Sequence, residues 1–261
     1  MTVLTHAATD SATMLRRNLR HALRYPSMSL STMMVPIFIM LLFVGVFGNA
    51  LGEGVGGPAD GDYITYVAPG IILMAVASGC LTTSVSVCMD MTEGIVDRFR
   101  TMAIARASLL TGHVVGSMIQ TLISTAAVIG VAVAMGFRTS GSPLDWLAAI
   151  GLLVLLTFAL TWMAVALGLL ANNPEGASNS PMIIQFLPFV GSAIVPPESM
   201  PAGVRWFAEY QPFTPIIETL RGLLVGTPDG QDAAVAVAWC VGLAIGGYAG
   251  SKVLFNRKAP R

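Results

Sequence analysis

Apolar residues along this chain gather into long windows that no Asp, Glu, Lys or Arg interrupts, and short polar stretches separate them. Such windows run from Ser27 to Ala50, Ile64 to Met89, Ser108 to Phe137 and Trp146 to Asn173. Each reaches the roughly 20 residues with which a helix crosses the hydrocarbon core of a bilayer. Two more follow at Asn179 to Val195 and Ala233 to Ser251, the fifth being the shortest. The pattern predicts an all-α integral membrane protein. Its single transmembrane domain covers 27–253, with six helical spans at about 27–50, 64–89, 108–137, 146–172, 179–195 and 233–253.

The polar stretches have patterns of their own. In the N-terminal segment 1–26, Leu15, Leu19, Ala22 and Leu23 recur at helical spacing, while Arg16, Arg17, Arg20 and Arg24 decorate the other side. Asp10 or Ser11 is available as the cap and Pro26 as the terminator, which fits an amphipathic helix lying in the headgroup layer. The alternative is a flank whose arginines only orient the first span. A basic tail, 254–261, closes the chain.

Between the second and third windows, about 90–104 forms a second charged amphipathic segment. At 100° per residue Ile95, Phe99 and Met102 share one face of a helix, and Glu93, Asp97 and Arg100 the opposite one. A helix resting on headgroups prefers basic residues throughout its polar face. Mixed acids and arginines fit better a helix seated in the groove of a soluble partner.

The connection 51–62 is Gly-rich, and 138–145 and 172–178 are short turns that make neighbouring spans antiparallel partners. The region 196–226 differs in being long, semi-polar and aromatic. Trp206, Phe207, Tyr210 and Phe213 suit a membrane–water interface, and Pro197, Pro201, Pro212 and Pro215 divide the region into short helices. It reads as a half-inserted external hairpin over about 198–226, a plain periplasmic loop being the alternative.

Composition agrees with the windows: 54% of residues are hydrophobic and 11% charged, with mean hydropathy +0.73. Soluble chains have about 45–50% apolar and about 25% charged residues. With the N-terminus in the cytoplasm, eleven basic residues fall inside and three, Arg138, Arg205 and Arg221, outside. The positive-inside rule therefore puts both termini in the cytoplasm. The first window is too long, and lies too far into the chain, for a signal peptide. Cys80, Cys88 and Cys240 all fall within windows and form no CxxC pair.

What chemistry is absent narrows the function. Lys252 and Lys258, the only lysines, follow Ser251 and Arg257, so there is no Gly-Lys-Ser or Gly-Lys-Thr phosphate loop. Span interiors carry no Asp, Glu, Lys or Arg, which argues against ion coupling and charged filters. Neither GxSxG nor HExxH occurs, and no nucleic-acid partner is indicated. His113, at the entry to the third span, reads as a packed or headgroup-facing residue. Gly242, Gly246 and Gly250 form a small-residue ridge on the last span, repeated once at Gly112 and Gly116. Gln120 and Gln185, with Asn179, Thr82, Thr83 and Ser84, either line a pathway or hydrogen-bond between helices.

Two motifs together carry a family resemblance. Glu93-Gly94-Ile95-Val96-Asp97-Arg98-Phe99-Arg100, then Ala105-Arg106 and Gly112, resembles the internal signature of type-2 ABC exporter permeases, in particular the daunorubicin-resistance branch. The second motif, Pro196-Pro197, Met200-Pro201, Phe207, Gln211-Pro212-Phe213-Thr214-Pro215, Arg221-Gly222-Leu223 and Gly226, resembles that family in the same order along the chain. The resemblance implies a multi-pass subunit of the bacterial plasma membrane that is not itself an enzyme. It implies a second permease copy, as homodimer or heterodimer, and two ATPase subunits that bind ATP and Mg. This chain would hold no cofactor or metal. Glu93, Gly94, Asp97, Arg98, Arg100 and Arg106 would form the ATPase-coupling helix, with the Arg16–Arg24 helix beside it. Met200, Pro201, Phe207, Gln211, Pro212 and Arg221 would belong to the external hairpin. The expected work is expulsion of a lipophilic or amphipathic cargo such as a drug, an antibiotic or a lipid. Two other classes stay open: an ion-coupled carrier, and an anchoring or assembly subunit that moves nothing.

Overall fold

A computed structural model describes residues 26–48, 63–92 and 106–258, with side chains placed for 33–48, 63–92 and 111–257. The described residues form helices and turns, without a strand. In chain order the helices are α1 (Pro26–Met40), α2 (Tyr63–Thr92), α3 (Arg106–Ala134), α4 (Pro143–Leu170), α5 (Pro174–Val190), α6 (Ala202–Tyr210), α7 (Phe213–Val225) and α8 (Gly230–Lys258). A wider π turn, Leu41–Val46, continues α1, and a 3₁₀ turn, Pro197–Ser199, precedes α6. Four helices are long and apolar enough to cross a membrane: Tyr63–Thr92, Thr111–Ala134, Pro143–Leu170 and Gly230–Arg257. A shorter apolar helix covers Met33–Val46. The protein is a multi-pass helical membrane protein.

Local chemistry sets the helix starts. Ahead of α4, Ser142 and Asp145 form a capping box: the Ser142 N–H donates to Asp145 Oδ2 at 2.8 Å, and the Asp145 N–H donates back to Ser142 Oγ at 3.3 Å. Pro143 occupies the first helical position, where a missing N–H costs nothing. At α5, Asn173 Oδ1 accepts the Gly176 N–H at 2.8 Å and Pro174 again stands first. This cap corrects the turn expected over 172–178. The helix begins at Pro174, and α5 sits N-terminal to the apolar window at Asn179–Val195 because its start is set by the cap and not by hydrophobicity.

The core is built around α2. Some 83% of its most apolar window is buried inside the protein, against 56% for α4, 33% for α3 and 17% for α8. Helices α1, α3, α4 and α5 pack against α2, and α8 lies against the far side of α4. Ile71, Ile72, Leu73 and Met74 of α2 meet Leu156 and Leu160 of α4 and Ile216, Ile217 and Leu220 of α7 in one apolar cluster. Two glycines allow the backbones to approach. A Cβ on Gly168 would lie 2.5 Å from the Ser84 carbonyl oxygen on α2, and one on Gly247 of α8 would lie 2.6 Å from the Met163 amide nitrogen of α4. Lipid tails are as apolar as leucine, so close backbone packing, and not exclusion of water, holds such helices together.

Candidate functional site

The bundle has two polar ends joined by α2, whose 30 residues extend about 45 Å at 1.5 Å per residue. At the first end α7 folds back onto the N-terminal end of α2, and α6 packs on α5, α7 and the 3₁₀ turn. Chain geometry makes this knot. Helix α5 stops at Gly191, whose N–H donates to the Pro188 carbonyl at 3.1 Å. Pro201 stands directly before α6 and Pro212 directly before α7. Met200 closes the 3₁₀ turn, its N–H donating to Pro197 O at 3.0 Å.

Gln211, between the two short helices, is buried and donates from Nε2 to the Leu187 carbonyl at 3.0 Å, tying the α6–α7 corner to α5. The hydroxyl of Thr214 donates to the Ala208 carbonyl, which closes the corner from the other side. Gly191 faces Gln211 and Thr214 so closely that a Cβ there would collide with both.

Arg221 of α7 binds three elements at once. Its Nε and Nη2 donate to the Tyr66 carbonyl of α2 at 3.2 and 3.1 Å, and Nη2 also reaches the Ser192 carbonyl at 2.7 Å. Nη1 pairs with Glu218, and the guanidinium carbon lies 3.9 Å from the Tyr66 ring centroid. A planar fork with five N–H donors suits this arrangement, and an ammonium would not reproduce it. The carbonyls of Leu224 and Val225 at the end of α7 accept from Ser140 and Gly141, which pins the α3–α4 turn to the same knot. Gly226 ends α7 at φ +82°, a left-handed conformation natural to glycine.

Helix α6 stands apart from the core, with only Ala208 buried. Trp206 and Tyr210, 66% and 67% exposed, pack ring to ring at 5.6 Å, and Phe207 is exposed beside them. On its other side Arg205 Nε donates to Glu209 Oε1 at 2.7 Å. That hydrogen bond, more than any other influence, holds the Arg205 guanidinium above its ordinary pKa.

At the opposite end, α2 finishes with Thr92, whose hydroxyl donates to the Cys88 carbonyl at 3.0 Å, and α3 begins at Arg106. Two residues before the end of α2, Asp90 Oδ2 lies 2.8 Å from His113 Nε2 of α3. Their side chains are only 13% and 8% exposed. The predicted coupling residues Glu93, Gly94, Asp97, Arg98 and Arg100, and the N-terminal Arg16, Arg17, Arg20 and Arg24, lie outside the described residues. Arg106 is the first residue of α3, and its side chain is outside the described set.

Midway along the bundle, Gln185 Nε2 of α5 donates to Ser78 Oγ of α2 at 3.2 Å. Gln120 is half-buried on α3. Buried hydroxyls of Thr83, Thr125, Thr157 and Thr161 each donate to the carbonyl one turn earlier in their own helix, so they need no ligand. The predicted glycine ridge divides. Gly250 lies 3.7 Å, measured from its virtual Cβ, from the Ala166 Cβ of α4, whereas Gly242 and Gly246 face open space. Gly247, which the four-residue spacing passes over, makes the tight contact.

Among the described residues no group of three or more His, Cys, Asp and Glu side chains is placed to hold a metal ion. Sequence reasoning treated His113 as a lone residue and missed its partner, as it missed Tyr66 and Ser192 under Arg221. The available signal was weak: Asp90 is the only carboxylate of α2 and His113 the only histidine of α3.

The sequence profile of the ABC-2 type transporter family matches residues 10–225. A curated relative from Streptomyces coeruleorubidus, the daunorubicin resistance ABC transporter permease protein DrrB1, is 27% identical over 220 residues, covering 84% of this chain and 76% of its own length. The probable doxorubicin resistance ABC transporter permease protein DrrC of Mycobacterium tuberculosis strain H37Rv is 23% identical over 214 residues, 82% of this chain and 78% of its own. A weaker similarity, 23% over 175 residues, extends to ABC transporter G family member 20 of Dictyostelium discoideum, covering 65% of this chain but only 23% of that relative.

Proposed function

The chain belongs to the ABC-2 type transporter family as the membrane subunit of an ABC exporter, and we propose that it expels a lipophilic, amphipathic drug, with doxorubicin-like anthracyclines as the first candidates. The observation that carries this reading is the similarity to two drug-resistance permeases over more than four-fifths of the chain. The interior supports it, because the bundle core is a continuous apolar cluster, and such an environment suits a cargo partitioning from lipid.

In this reading the chain sits in the bacterial plasma membrane with both termini in the cytoplasm. The knot of α6 and α7 then faces outward, and its Trp206–Tyr210 face rests in the interfacial layer. Six spans follow if α1 with its π turn, and α5, also cross. At 17 residues α5 extends only about 25 Å, short of a hydrocarbon core of about 30 Å. The break at Gly191 and the return through α7 complete the crossing as a re-entrant hairpin, tolerated because the bend at 191–194 is buried in protein.

Power comes from a separate ATPase, two copies engaging a pair of permeases, with ATP and Mg held there. The coupling segment expected at about 90–104 gives up 90–92 to the end of α2, so 93–105 is the contact through which nucleotide-driven closure acts in this reading, and α2 carries the motion to the Arg221 knot. Energised inside-out vesicles holding this chain and its ATPase test the reading directly. Doxorubicin uptake that requires ATP and survives collapse of the proton gradient supports it. Uptake that follows the proton gradient and ignores ATP, or no uptake of any lipophilic probe, overturns it.

A further inference from the structure

Resting on the reading of 93–105 as the ATPase contact, we propose that Asp90 and His113 form a rivet that makes α2 and α3 receive the ATPase stroke as one body. They are positioning residues, acting through the helices and touching neither nucleotide nor cargo.

The segment has two anchors, the end of α2 and the start of α3. A push on a connecting segment moves both anchors together only if the helices are fixed against sliding. Most of the contact between them is apolar packing. Val87 and Val114 pack there with Met91 and Met118, and a Cβ on Gly79 would collide with the Thr121 side chain. Apolar contact is non-directional, so it holds the axial register of two helices only through the fit of their side chains. A hydrogen bond is directional and weakens steeply when misaligned.

The Asp90–His113 pair is placed to supply that directional lock. It lies at the mouth of the segment, two residues before Thr92 and seven after Arg106, with 2.8 Å between Oδ2 and Nε2. Along α2, Asp90 is the one residue with formal charge, and along α3 Arg106 is the one such residue. Burying a carboxylate is costly unless it is paired, yet this one is 13% exposed and faces an 8% exposed imidazole. His113 Nδ1 is buried without a partner, so the Asp90 carboxylate orients the ring.

The test uses the complete complex of this chain with its ATPase in vesicles, with doxorubicin as probe and hydrolysis measured alongside uptake. Asp90→Ala and His113→Ala should retain the bound ATPase and hydrolyse ATP within about twofold of the wild type, while uptake per ATP falls about tenfold, the scale on which residues along a coupled network change coupling. The exchange Asp90→His with His113→Asp should bring uptake per ATP back to within about threefold of wild type, since the same pair is remade. A fold-supporting role alone would lower the amount of complex and leave the ratio unchanged. Alanine variants with wild-type uptake per ATP overturn the proposal. So does an exchange variant that assembles and hydrolyses ATP but stays uncoupled. Should the alanine variants fail to accumulate, the exchange variant and His113→Gln, which keeps an amide donor, decide: recovered uptake per ATP supports the rivet, and assembly without coupling overturns it. A wild-type complex without ATP-driven uptake would instead refute the exporter reading on which the rivet rests.

Discussion

The guanidinium of Arg221 lies 3.9 Å from the ring centroid of Tyr66 and donates to the backbone carbonyl of that same residue. One side chain thus holds the N-terminal end of the central helix, the Ser192 bend after α5, and α7. Arg221→Ala removes all three links and leaves Glu218 without its cation. Thermal unfolding of the detergent-solubilised protein should show destabilisation on the order of 3 kcal/mol. Arg221→Lys should recover less than half of the loss, because an ammonium lacks the planar fork and stacks poorly on an aromatic face. A lysine variant as stable as the wild type would show that charge alone holds the knot.

Glycines on α8 separate internal packing from outward faces. A side chain at Gly247 must displace the backbone of α4 at Met163, whereas Gly242 has nothing within 4 Å. Gly247→Leu should therefore abolish accumulation of folded protein, through overpacking that no rotamer relieves. Gly242→Leu should accumulate normally and unfold within about 0.5 kcal/mol of the wild type when measured as a detergent-solubilised monomer. Equal behaviour of the two variants would contradict the packing of α8 on α4.

These two glycines also show where sequence reasoning succeeds and where it stops. The long windows are legible because an uninterrupted apolar run has one outcome in lipid: Ile64–Met89 lies within Tyr63–Thr92, and Ala233–Ser251 within Gly230–Lys258. Four-residue spacing of glycines is equally plain, yet α8 is apolar on every side and so offers no signal for which face meets α4. Hydrophobicity does not mark the start of α5, because Asn173 and Pro174 set that boundary. The Asp90–His113 pair is separated by 23 residues and closes only through antiparallel packing of α2 on α3, a relation no local pattern encodes. In the same way Tyr66 and Ser192 offer Arg221 their backbone carbonyls, which every residue possesses.

Gln185 makes the one polar side-chain contact between α5 and α2 among the hydrogen bonds described at mid-bundle, donating to Ser78. Bonds of this kind between membrane helices are worth about 0.6 kcal/mol on average, with a maximum of about 1.7. Gln185→Leu should lower the unfolding stability by no more than that range. If drug export in vesicles falls far more than stability does, Gln185 meets the cargo as well as Ser78. A proportionate fall in both would confine it to helix packing.

The reading of 93–105 as the ATPase contact makes its strongest claim on charge. Glu93 and Asp97, four residues apart, share one face of the predicted helix, and Arg100 lies beside them. Reversal of both acids, Glu93→Lys with Asp97→Lys, places like charges against whatever cations on the ATPase they meet, and like-charge juxtaposition at an interface costs several kcal/mol. The double variant should insert and accumulate as the wild type does, because membrane insertion is set by the apolar windows, but lose co-purifying ATPase by at least about tenfold. Raising the salt concentration should weaken the wild-type complex in the same direction, since exposed charges are screened beyond about 8 Å at physiological ionic strength. Undiminished co-purification in the double variant would move the coupling contact away from this face, and the N-terminal arginines Arg16, Arg17, Arg20 and Arg24 would be the next to reverse.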